Sequence, residues 1–406
     1  MTDPLILHHW IEFALRWLHV ITAIAWIGSS FYFIALDLGL RRDPKPASGA
    51  DGDEWQVHGG GFYHIEKYLV APAALPAHLT WFKWESYATW LSGFALLAVV
   101  YWWGADLYLI DLTVRDLPVW AAVAISATSL AVGWVVYDAL CRSPLGDRPG
   151  VMMLALFAVI VAMAVFYTQV FSGRAALLHL GAFTATIMSA NVFFIIIPNQ
   201  KIVVADLRAG RVPEAKYGRI AKLRSTHNNY LTLPVIFLML SNHYPMAFAS
   251  DWNWLIASLV FLMGVTIRHF FNTMHAKKGM PWWTWGATAA LFVAIVWLST
   301  LGPRAGAAEA AALPPDAARF AAAPGFEDAV SIVTGHCSMC HAAEPTWPGL
   351  AVAPKGVVLE SEADVARQAR AIYLQAAVSR AMPPGGQIVM DDADRAALAA
   401  WVRAAR

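Results

Sequence analysis

VMMLALFAVIVAMAVFYTQVF, residues 151–171, carries no charged side chain. A bilayer core of about 30 Å takes roughly 20 mainly apolar residues in a helix, so the stretch reads as a membrane span. Comparable segments lie on both sides of it, at 10–38, 82–104, 118–140, 176–197, 230–248, 252–272 and 282–301. The first is too long for a signal peptide, lacks a basic leader and carries Glu12, Arg16 and His19. The expected fold is therefore all-α: an eight-helix transmembrane bundle over residues 1–301, followed by a smaller unit.

Composition supports this. Of the 406 residues, 58% are hydrophobic and only 14% are Asp, Glu, Lys or Arg, against about 25% charged in soluble domains. The 19 Trp suit membrane interfaces, where the amphipathic indole collects. Disorder, a collagen-like repeat and a disulfide scaffold are excluded. A net charge of +1 also leaves no basic surface for nucleic acid.

Beyond residue 301 the character changes. Residues 302–325 are dominated by Ala and interrupted by Pro303, Pro314, Pro315 and Pro324, which reads as a semi-rigid linker. Residues 326–406 have the composition of a water-soluble domain. About 80 residues make a small core, so a group that fills the interior is expected.

That tail holds Cys337-Ser338-Met339-Cys340-His341, the C-x-x-C-H attachment string of c-type haem. Two thiols at this spacing form thioethers to the vinyl groups of one porphyrin edge, and the adjacent imidazole comes to lie under the iron. A Cys/His zinc site would need further ligands at similar spacing, and none follows. Met382, in Arg380-Ala381-Met382-Pro383-Pro384-Gly385, is the expected sixth ligand, with Met390 as its rival. His341 and Met382 would then be the metal ligands, a pair suited to electron transfer. Helices are expected over 327–336, from a capping box at Ser361 and Asp364 to about Ser379, and over 392–404. Three short helices around a haem resemble a small class I-like cytochrome c.

Haem c is attached on the outer face of a bacterial plasma membrane, so the tail is expected in the periplasm. Eight spans then place the N-terminus there too. Positive charge tests this independently. The expected inner loops hold Arg41, Arg42, Lys45 and Lys67, then Arg142 and Arg148, then seven basic residues from Lys201 to Arg224, then Lys277 and Lys278. The outer stretches before the linker hold Arg115 and Arg174. The two arguments agree.

Ionisable groups within spans are costly and point to function. In an outer layer, Glu12, Arg16 and His19 share one helix face, with His179 and His243 at similar depth. They fit either an interhelical salt bridge with satisfied histidines or a b-type haem held by His19 and His179. An inner layer contains His58-Gly59-Gly60-Gly61-Phe62-Tyr63-His64, Arg224-Ser225-Thr226-His227-Asn228-Asn229, and Arg268, Asn272 and His275. Arginine and amide forks suit a planar, carbonyl-rich anion, and the three glycines fit either close backbone approach to a flat ligand or a plain turn.

The strings from His58 to Tyr68, Phe82 to Leu96, Asn191 to Gln200 and Arg224 to Pro245 resemble the membrane-bound cytochrome c urate oxidases, also called urate hydroxylases, and the C-x-x-C-H tail completes that family's domain order. The resemblance implies that the bundle oxidises urate to 5-hydroxyisourate. Electrons would pass to the fused haem c and on to a respiratory-chain acceptor, a soluble cytochrome or terminal oxidase, without stoichiometric hydrogen peroxide. Read with that resemblance, His227, His64 and Arg224 are the expected catalytic residues, and Asn228, Asn229, Arg268 and His58 the expected substrate contacts. Cys337, Cys340, His341, Met382, His19 and His179 are the expected cofactor ligands. The alternative is a bundle that only anchors a cytochrome or relays electrons from quinol.

Overall fold

Long apolar stretches become long helices. The computed structural model describes residues 4–44, 46, 48–68, 76–112, 114–301, 313–348, 350, 352–384 and 388–405. Six helices among them are long and apolar enough to cross a membrane. These are α1 (Pro4–Gly39), α3 (Val119–Arg142), α4 (Pro149–Thr168), α5 (Gly173–Arg208), α7 (Asn253–His275) and α8 (Trp283–Thr300). Packed among them are α2 (Trp84–Leu97), prolonged by a π-helical turn over Ala98–Trp102, and α6 (Ala215–Leu240).

Two boundaries depart from expectation. The expected span 230–248 is instead helical from Ala215 to Leu240, followed by a 3-10 turn at Ser241–His243 and a short helix Pro245–Phe248. Pro245 lacks the N–H that a continuing helix would need. At the other end, Arg224, His227, Asn228 and Asn229 are buried in protein, so hydropathy alone stops short of the true start. Likewise α5 runs eleven residues beyond 197, to Arg208.

α5 is the central rod, with Ala175, Leu177, His179, Leu180, Phe183 and Ile187 all buried. α3 approaches it at Gly133, where a Cβ would lie 2.1 Å from the Phe183 ring. α6 and α7 meet where Gly264 faces Pro234, at 2.5 Å from an added Cβ to the proline ring. One turn further toward the basic end, that spacing lets side chains of the two helices hydrogen-bond.

The all-α expectation needs one correction. β1 (Gly52–His58) and β2 (Gly61–Lys67) form an antiparallel hairpin, with Trp55 opposite His64 and Val57 opposite Phe62. Gly59 and Gly60 both have positive φ, 57° and 81°, as a two-residue type I′ turn requires. The glycine run is thus a turn.

In the tail, α10 (Phe326–Cys337) crosses α13 (Asp392–Ala404), burying Ala329 and Val333 with Leu398, Trp401 and Val402. Residues 302–312 of the expected linker lie outside the described residues. The rest of it is structured: α9 (Pro315–Ala321) places Phe320 in the tail core, where its carbonyl accepts from Trp401 Nε1 at 2.9 Å. The capping box at Ser361 and Asp364 opens α11 (Glu362–Arg367) as expected. Instead of one helix to Ser379, the chain breaks at Gln368 and resumes as α12 (Ala369–Ile372) and a π turn, Tyr373–Val378.

Candidate functional site

At the basic end of the bundle, four helices bring polar side chains, and a fifth an aromatic ring, into one cluster. Tyr137 and Asp138 come from the last turns of α3, Asn191 from α5, and Arg224, His227, Asn228 and Asn229 from α6. Arg268 and Asn272 come from α7, and Phe31 from α1. Asn191 opens a π-helical turn, Asn191–Ile196, a local widening that recurs at functional sites.

Two hydrogen-bonded groups make up the cluster. In the first, Arg224 Nη2 pairs with Asp138 Oδ1 at 2.6 Å while Nη1 donates to Asn191 Oδ1 at 3.2 Å. That donor makes the Asn191 oxygen an acceptor, so its amide nitrogen donates to Tyr137 Oη at 3.0 Å and to Asn228 Oδ1 at 2.9 Å. Asn228 in turn donates to the Met188 carbonyl at 2.9 Å. His227 Nδ1 lies 2.8 Å from Tyr137 Oη. Arg224 also lies over the Tyr137 ring, at 5.0 Å from its centroid.

In the second group, Asn229 Oδ1 accepts from both Arg268 Nε and Asn272 Nδ2, each at 2.9 Å. The Arg268 guanidinium lies over the Phe31 ring at 4.1 Å. Four polar atoms of the cluster are buried with no protein partner: His227 Nε2, Asn229 Nδ2, Arg268 Nη2 and Asn272 Oδ1. Native interiors pair nearly all such atoms, with protein, water or ligand. Two of these atoms are donors, one is an acceptor, and the imidazole nitrogen can be either.

The hairpin histidines stand apart from this network. His58 is exposed beside the turn. His64 Nε2 meets Asp53 Oδ2 at 2.9 Å, and its ring stacks on Trp55 at 4.4 Å. Tyr137, Asp138 and Asn191 are the members that sequence reasoning missed. The available signal was a Tyr-Asp pair near the end of an otherwise apolar helix.

Of the outer layer, Arg16 and Glu12 form an ion pair at 2.5 Å. His19 Nδ1 lies 3.0 Å from the Thr89 carbonyl; a carbonyl only accepts, so Nδ1 carries the proton and Nε2 keeps a lone pair. His179 differs. Its Nδ1 bonds the Ala175 carbonyl and its Nε2 bonds Ser126 Oγ, both at 2.8 Å, and its ring is enclosed by Tyr101, Tyr167 and Phe171. With both nitrogens engaged, His179 does not fit as an iron ligand in this arrangement, so the His19 and His179 pair does not fit a b-type haem.

The tail residues do fit haem c. α10 ends at Cys337, and the His341 N–H closes the attachment turn on the Cys337 carbonyl at 2.8 Å. His341 Nδ1 donates to the Val357 carbonyl at 2.8 Å, which fixes the ring and leaves the Nε2 lone pair free for a metal. Burial pushes the Cys337 thiol up to about 11. Met382 is half-buried at the tail core, its carbonyl accepting from Arg395 Nη1 at 3.0 Å. Met390 is 5% exposed within that core. Among the described residues no three or more His, Cys, Asp or Glu side chains gather as a metal site.

No curated protein and no solved structure matches the chain. A family model does, the urate oxidase N-terminal model, over residues 5–299. That range contains the whole bundle with its buried polar cluster and stops short of the tail, so the chain belongs to the urate oxidase N-terminal family.

Proposed function

We propose that the buried cluster binds urate and that the bundle oxidises it to 5-hydroxyisourate. The carrying observation is the set of four unpartnered atoms from His227, Asn229, Arg268 and Asn272 in a chain of this family. Urate is a planar monoanion at neutral pH with carbonyl acceptors and ring N–H donors. Arg268 Nη2 and Asn229 Nδ2 donate to its oxygens, and Asn272 Oδ1 accepts from a ring N–H. Arg268 supplies the positive charge, because Arg224 is already matched by Asp138.

Conversion of urate and water to 5-hydroxyisourate releases two electrons and two protons. His227 Nε2 takes the first proton. Tyr137 Oη can accept the Nδ1–H of His227 alongside the Asn191 amide, which leaves the lone pair on Nε2 without a protein partner. A neutral imidazole with an unpartnered ring nitrogen can take a proton from a bound substrate.

Cys337 and Cys340 would hold haem c, with His341 and Met382 binding its iron, and the group would supply one-electron acceptance. The electrons then pass to a respiratory-chain acceptor and not to oxygen as stoichiometric peroxide. The basic residues gather at the cluster's end of the bundle, which supports a cytosolic position for that end in a bacterial inner membrane. The N-terminus and the tail then face the periplasm.

Anaerobic addition of urate to purified full-length protein tests the reading. Reduction of the haem c absorption band, with release of 5-hydroxyisourate, is expected. A haem-loaded protein that stays oxidised with urate but is reduced by a quinol analogue would overturn it in favour of a relay.

A further inference from the structure

The hairpin has its polarity reversed. One face of a two-stranded ribbon at a protein surface is normally polar where it meets water. Here the half of the outward face nearer the turn carries Trp55, Val57 and Phe62, which are 59%, 70% and 76% exposed, while Asp53, His64 and Glu66 occupy the same face toward the base. The opposite face carries Glu54 and Gln56, and it is turned toward α1. Glu54 lies against Gly39, and Gln56 Oε1 accepts from Tyr32 Oη at 2.6 Å.

These two contacts give the ribbon a direction. Its base is tied to the end of α1, where Arg41 and Asp53 exchange backbone hydrogen bonds at 2.9 and 3.0 Å and Lys67 pairs with Asp37. Moving two residues along β1, from Glu54 to Gln56, advances about 7 Å. Over the same interval the contact on α1 moves from Gly39 back to Tyr32, about 10 Å along the helix. The strands therefore run back along α1, away from the chain's basic end and toward the middle of the bundle. They run beside exposed aromatic residues: Tyr32 packs on Phe33, and Phe33 on Phe82.

We propose that the hairpin Gly52–Lys67 is a membrane-inserted anchor, with the Trp55, Val57 and Phe62 face in the acyl region of the leaflet at the bundle's basic end. Three features identify lipid as the occupant. The apolar face continues the exposed aromatic surface of α1. The ribbon points from the helix end into the span. Arg41 and Arg42, paired with Asp53 and Asp51 at its base, gather the charged groups at the end of the ribbon that would lie at headgroup level. An apolar patch of this kind would be a liability in water and is favourable in an interface. The proposal rests on the membrane-spanning reading of the bundle.

The test uses the full-length protein in nanodiscs of phosphatidylcholine with phosphatidylglycerol. An environment-sensitive fluorophore is attached in turn to Val57→Cys and Phe62→Cys, in a Cys141→Ala background with haem c attached. Val293→Cys, on the exposed face of α8, reports on the span itself, and Val212→Cys, in the loop before α6, reports on water. Blue-shifted emission quenched by doxyl-labelled lipid at both hairpin sites is expected, matching Val293 and unlike Val212. Aqueous emission at both hairpin sites would overturn the proposal. So would a blue shift that doxyl lipid does not quench, because protein would then cover the face. Failure of quenching at Val293 as well would instead sink the membrane-spanning reading itself.

Discussion

Arg224 and Asp138 form a part-buried ion pair at 2.6 Å, with 4% and 18% of their side chains exposed. The pair ties α6 to α3 and aligns the Asn191 and Tyr137 hydrogen bonds beside it. It also divides the labour between two arginines that look alike in sequence: Arg224 is internally neutralised, whereas among the described residues Arg268 has no ion-pair partner.

Arg224→Ala strips Asp138 Oδ1 of its partner while Oδ2 keeps the ion pair with Arg142 at 2.6 Å, so the cost falls below the about 3–5 kcal/mol of a fully unpaired buried charge. The expected outcome is a moderate drop in Tm of the detergent-solubilised protein. Arg224→Ala combined with Asp138→Asn should recover much of the loss. A wild-type Tm for the single variant would dismiss the pair as a structural tie.

Arg268→Ala should keep Tm closer to wild type and raise KM for urate. A charge-assisted hydrogen bond is worth about 1.5–3 kcal/mol, or roughly ten- to a hundredfold. Steady-state kinetics with an artificial electron acceptor would measure this. An unchanged KM would remove Arg268 from the anion site.

His227→Gln should preserve urate binding and lower kcat by roughly 10²–10⁴-fold, as for loss of a general base. A large rise in KM with kcat intact would mean that His227 binds substrate without moving its proton.

Met382→Ala should abolish the weak methionine-to-iron charge-transfer band of oxidised haem c. Met390→Ala should keep that band and cost stability, about 2–5 kcal/mol for a core methionine. The reverse pattern would transfer the ligand assignment to Met390.

The hairpin carries a pH signature. Hydrogen bonds from His64, at 2.9 Å, and then from Arg41, at 2.8 Å, hold the Asp53 carboxyl below its ordinary value of 3.8. A depressed carboxyl stabilises the fold above its unfolded pKa, and the contribution disappears as pH falls through the folded one. Asp53→Asn should therefore speed hydrogen exchange of the Gly52–Lys67 amides at pH 6. After correction for intrinsic rates, that difference should vanish well below pH 4. A difference persisting there would assign the effect to shape instead of charge.

Local spacing was legible in the chain and distant pairing was not. The Ser361 and Asp364 capping box, the ends of α10 and α13 and most of the apolar rods lie where periodicity and hydropathy put them. The hairpin was hidden, because His58 to Tyr68 offers the same glycines to a ligand loop and to a type I′ turn. Only the positive φ of Gly59 and Gly60 separates the two. The start of α6 was hidden for a different reason: hydropathy scores Arg224, His227 and Asn228 as aqueous, although their partners on α3 and α5 bury them.

Taken alone, the chain determined its helical class, the C-x-x-C-H string and the asymmetry of basic residues, all of which are properties of neighbours along the backbone. The tertiary structure decided which polar groups cancel one another and which are left with unmet hydrogen-bonding capacity. Arg224 finds Asp138 from 86 positions away, His179 spends both nitrogens on the core, and Arg268 and Asn229 keep a donor each. Whether a buried polar atom is satisfied depends on what lies within about 3 Å of it, and the helix crossings set that distance.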